Sequence, residues 1–141
     1  MNQRMRKWWP WWNFAVGATD AGTGLLLVVA PEFTLRLMRV PPPEPAAMVF
    51  VSWIGAFVAA VGCAYFLAPR RLADATACAR LATVWRVTTI ARGLVAAFVT
   101  WRVVDGLLPV EWLTVALTDA VIAAVQFTWL RGGITEDHDD P

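Results

Sequence analysis

The most constraining stretch of this chain is Leu81 to Asp105, LATVWRVTTIARGLVAAFVTWRVVD, an apolar run of membrane length with Arg86 and Arg92 inside it. An arginine cannot shed its proton to escape an apolar medium, and at the centre of a membrane helix it costs roughly 2.5 to 3.5 kcal/mol even on the lenient insertion scale. Partners for both residues must therefore come from other segments. Three further apolar runs supply them, about residues 13–30, 46–68 and 109–130, against 82–104 for the arginine-bearing span. The expected fold is all-α, an integral membrane four-helix bundle of up-down-up-down topology with a short interfacial helix after the first span.

Composition agrees: 58% of the 141 residues are hydrophobic and 16% charged, where soluble domains average about 45 to 50% and about 25%. A formal net charge of +1 offers no clustered basic face for nucleic acid. The single histidine, His138, lies in the acidic C-terminal segment, so the apolar runs hold no histidine ligands and neither metal nor cofactor is expected. Cys63 and Cys78 lack a CxxC spacing, and Cys63 reads as a small buried filler. No nucleotide loop, nucleophile elbow or redox cysteine pair is present, and no catalytic residue is assigned, which weighs against an enzyme.

Along the chain, Arg4, Arg6 and Lys7 precede Trp8, Trp9, Trp11 and Trp12 around Pro10, a basic flank running into an aromatic belt. Asp20 interrupts the apolar run that follows, so this segment reads as a retained first helix rather than a signal peptide. In that helix Asn13, Gly17, Asp20 and Gly24 share one side, a polar and small face on which another helix backbone can approach. An interfacial helix is expected over 32–40, with Phe33, Leu37 and Val40 on its apolar side, then an extended connector at Pro41, Pro42, Pro43, Glu44 and Pro45. The second span has a seam of Ser52, Gly55, Ala56, Ala59, Gly62 and Cys63, and a basic loop with Asp74 and Arg80 leads to the third. Residues 132–141 form an acidic tail expected to be disordered.

Because only a short turn at Gly106 and Leu107 joins the last two spans, residues at equal distances from it should share a depth. Arg92 then faces Asp119, Arg86 faces Gln126, and Trp85 faces Trp129. Arg92 and Asp119 each lie about 15 Å from a membrane face, near the midplane. Asp20 falls between the levels of the two arginines and is available to either, while Arg86 lies close enough to the boundary to snorkel instead. The binding or ion-path candidates are Asn13, Asp20, Arg86, Arg92, Asp119 and Gln126. Two readings of them stay open: a fixed, charge-balanced packing network, or a path for an ion, proton or small molecule. Lysines and arginines number seven on the side of the termini and three on the other, which predicts cytoplasmic termini.

The segment GLLLVVAPEFTLRLMRV and, after the proline-rich gap, WIGAFVAAVGCAYFLAP resemble small four-helix bacterial membrane proteins of the DoxX-like kind, over Gly24 to Pro69. The resemblance implies a four-helix bundle in a bacterial inner membrane and supplies no catalytic residues. Small multidrug transporters are a second comparison, with an acidic residue in helix one corresponding in role to Asp20, but the interior arginines depart from their pattern. The expected function is binding of a small or lipid-like molecule, or membrane assembly; the alternative is a proton- or ion-coupled small transporter acting as a homo-oligomer.

Overall fold

The computed structural model describes residues 3–69 and 73–132, with side chains from Trp8 onward. Five α-helices follow one another: α1 Gln3–Val29, α2 Pro31–Leu37, α3 Met48–Phe66, α4 Ala75–Val104 and α5 Leu113–Arg131, with single 3-10 turns at Pro45–Ala47 and Val110–Trp112. Four of the helical segments are long and apolar enough to cross a membrane: Trp8–Val29, Pro45–Phe66, Ala75–Val104 and Val110–Arg131. No strand occurs among the described residues. Arg70, Arg71 and the acidic tail beyond Gly132 lie outside them.

Two helices are longer than the sequence suggests. The helix expected from Asn13 begins at Gln3 and runs through Pro10, so the tryptophan belt is helical. Pro10 is the eighth residue of this helix, past the first turn, so it removes the bond its N–H would otherwise make to the Arg6 carbonyl, and the helix continues through it. The third long helix starts at Ala75, where the Asp74 side chain accepts from the Ala77 amide at 2.7 Å as an N-cap. Arg80 is therefore helical and not part of a loop.

Both sharp turns are helix ends of one type. After α4, Gly106 takes a left-handed φ of 70°, its N–H donates to the Val103 carbonyl, and that of Leu107 to Arg102. After α2, Arg39 does the same at φ 60°, and the Val40 N–H donates to the Leu35 carbonyl at 2.9 Å. This closing pattern brings an apolar residue beyond the turn against one in the last helical turn. Val40 and Leu35 accordingly sit together in a core with Leu27 and Val51. The expected amphipathic face is thus split: Val40 is buried, while Phe33 and Leu37 are exposed.

The closest backbone approach joins α1 to α3. A Cβ at Gly24 would lie 2.2 Å from the Ala59 nitrogen, and one at Gly62 would lie 2.3 Å from the Ala21 nitrogen. Only glycine permits this contact at either position, so the small face of helix one meets the seam of the second long helix as the spacing predicts. The seam is narrower than expected: Gly55 and Gly62 are buried, but Ala56 and Cys63 are exposed, so Cys63 is not a buried filler. In the other pair, α4 packs on α5.

Candidate functional site

Between the α1/α3 and α4/α5 pairs the contacts are made by long side chains, and Arg92 is at their centre. Its Nη1 donates to Asp119 Oδ1, its Nη2 to Asp20 Oδ2, and its Nε to the Tyr65 hydroxyl at 3.2 Å. One guanidinium from α4 therefore ties in all three other long helices. The Arg92 side chain is only 6% exposed and each carboxylate 15%, where an unpaired charge would cost several kcal/mol.

Gln126, fully buried, extends the network toward the basic end. Its Nε2 donates to the Tyr65 hydroxyl at 2.9 Å and to Thr88 Oγ1 at 3.3 Å, and its Oε1 accepts from Thr89 Oγ1. Tyr65 thus accepts from both Arg92 and Gln126, joining the ionic and the neutral halves of the network. Beyond it, Trp85 Nε1 donates to Asn13 Oδ1 at 2.8 Å, and the Trp129 ring packs 5.2 Å from that of Trp85 and 5.5 Å from that of Trp12.

Of the six residues singled out in the sequence, the expected Arg92–Asp119 pair is present, and Asp20 joins it. Gln126 belongs to the same network, and Asn13 is placed on Trp85. Arg86 is different. It is exposed, and Gln126, expected at its depth, faces Tyr65 instead. Six positions along a helix is about 120° of rotation, so with Arg92 turned inward Arg86 points away. The expected balance of two arginines against two aspartates becomes one against two, a formal charge of −1 among the three groups that meet.

No family model, curated protein or solved structure matches this chain. Among the described residues no cluster of His, Cys, Asp or Glu is arranged to hold a metal ion.

Tyr65 was the residue to find. It is the only tyrosine in the chain and stands three positions after Gly62, on the face that packs against α1. A lone phenol inside an apolar span beside the glycine seam was the available signal, since a buried hydroxyl needs partners. Tyr65→Phe leaves the Arg92 Nε donor without its acceptor and Gln126 Nε2 with Thr88 Oγ1 alone. The expected outcome is a loss of about 1 to 3 kcal/mol, measured by thermal unfolding in detergent. An unchanged midpoint would show that the hydroxyl is not the bridge.

Proposed function

We propose that the protein is a multi-pass bacterial inner-membrane protein that binds a small, lipid-like molecule, its long helices running up-down-up-down and both termini in the cytoplasm. The observation that carries the ligand reading is an open apolar groove of about 730 Å³ between α4 and α5, lined from Ala96 to Trp101 on one helix and from Leu113 to Ala120 on the other. Its volume is in the range of small-molecule sites, and its lining suits an acyl chain. Ala96 is one helical turn from Arg92 and Ala120 adjoins Asp119 in the chain, so the slot begins near the level of the charged network. The DoxX-like pattern of Gly24 to Pro69 supports the same architecture.

Native mass spectrometry of protein extracted in mild detergent tests this. A bound amphiphile is expected on the wild-type chain and should be reduced by Ala96→Phe, which fills the groove; equal occupancy in both would remove the groove from the argument. Orientation is checked separately by maleimide labelling in a Cys63→Ala, Cys78→Ala background. Pro43→Cys should label from outside and Asp74→Cys from the cytoplasm, and the reverse pattern would invert the topology.

One observation favours a second reading, proton- or ion-coupled transport by an oligomer. Asp20, Arg92 and Asp119 together sum to −1, and a proton or monovalent cation would complete the balance. Uptake in proteoliposomes driven by a pH gradient and abolished by Asp20→Asn would move this reading to first place.

A further inference from the structure

The cluster at the basic end of the helices contains two hydrogen-bond donors that nothing satisfies. Trp12 Nε1 and Asn13 Nδ2 are buried atoms without a partner. Asn13 is only 5% exposed, and its amide orientation is not open to choice. An indole N–H can only donate, so the bond from Trp85 Nε1 requires Asn13 to present Oδ1 to it. The Nδ2 group is then turned away with its hydrogens unused. Both orphan groups are of the same kind, and each calls for an acceptor.

The aromatic surroundings are continuous: Trp12 packs on Trp129, Trp129 on Trp85, and Trp85 bonds Asn13. Trp12 as a whole is half-buried, so part of its ring is exposed while Nε1 is covered. Basic residues flank these positions along the chain. Arg86 adjoins Trp85 and is exposed, Arg131 follows Trp129 by two residues, and Arg4, Arg6 and Lys7 lie on the opening turns of α1. Neutral donors that bind the oxygen directly, on helix ends rich in basic residues, are a combination suited to an anionic oxygen.

We propose that Trp12 Nε1 and Asn13 Nδ2 bind a phosphodiester oxygen of an anionic phospholipid at the basic end of the helices. This rests on the reading of the chain as a membrane protein but not on the α4/α5 groove, which begins at Ala96, eleven residues beyond Trp85 on α4. Tryptophan at this level is then a headgroup ligand as well as a belt residue.

The test is proton–nitrogen NMR of the full-length protein in maltoside micelles. Trp12→Phe assigns the Trp12 indole signal by its disappearance, and Asn13→Asp assigns the side-chain amide. Titration with dihexanoyl phosphatidylglycerol should shift both signals saturably, and inorganic phosphate should shift them weakly or not at all, separating a lipid from a free anion. Asn13→Asp keeps an oxygen for Trp85 but replaces the donor with an acceptor. It should weaken the lipid response about tenfold or more while leaving the Trp85 indole signal in place as proof of folding. Signals of Trp12 and Asn13 that ignore the lipid, a stronger response to inorganic phosphate than to the lipid, or an undiminished response in Asn13→Asp would each overturn the proposal. The membrane reading fails differently, by a protein that stays folded and soluble once detergent is removed.

Discussion

Replacing Arg92 with leucine is expected to be the most damaging single change in the chain, lowering stability by about 3 to 5 kcal/mol because it strands buried carboxylates. Two are stranded here, Asp20 and Asp119, and Tyr65 loses a donor as well. The pattern across the set is more telling than the one value. Asp20→Asn or Asp119→Asn alone leaves a one-to-one ion pair with an amide still able to accept from the guanidinium, so each should be much milder than Arg92→Leu. The double change Arg92→Leu, Asp119→Leu still leaves Asp20 without a partner and should recover only part of the loss. Adding Asp20→Leu should restore most of it. Thermal unfolding of the purified variants in one detergent reads this directly. Full recovery in the double variant would mean that Asp20 does not share the guanidinium.

The second large effect is expected at the α1/α3 contact. A methyl group at Gly24 would meet backbone atoms, the Ala59 nitrogen at 2.2 Å and the Gly55 oxygen at 2.6 Å, and backbone cannot rotate aside as a side chain can. Gly24→Ala must push the helices apart, and overpacking of this kind costs about 1 to 3 kcal/mol, with the rigid contact here favouring the upper end. Gly22 and Gly93 are internal controls, since nothing lies within 4 Å of a Cβ at either. Alanine there should leave stability unchanged or raise it by some tenths of a kcal/mol through the unfolded chain. A loss at Gly22 equal to that at Gly24 would show that close approach to α3 does not set the cost, since helix propensity alone favours alanine at both.

The Arg92–Asp119 and Trp85–Trp129 contacts were legible because a short turn makes depth a function of distance from the turn, whatever the side chains. The small face of α1 was legible for a related reason: four non-apolar positions at helical spacing define one side. Rotation of the other helices was not. In a chain whose outer and inner surfaces are both apolar, hydrophobicity does not say which side faces in. Hence the small-residue spacing puts Ala56 and Cys63 on the seam although both are exposed, and Tyr65, a single residue without a repeating partner, leaves no periodic signal. Arg86 and Arg92 look alike in sequence, and only the azimuth of α4 separates the exposed one from the central one. The helix start at Gln3 is obscured by Pro10, which reads as a helix boundary in sequence but lies inside α1.

The contrast between the two kinds of contact also sets how the molecule deforms. Backbone against backbone, α1 and α3 have no side-chain torsions at their closest points through which to yield. The halves of the bundle meet instead through arginine, glutamine, tyrosine and tryptophan side chains, whose torsions can absorb displacement while their bonds persist. The softest internal coordinate is therefore a tilt of α1 and α3, moving as one body, against α4 and α5, with the Arg92 guanidinium as its pivot.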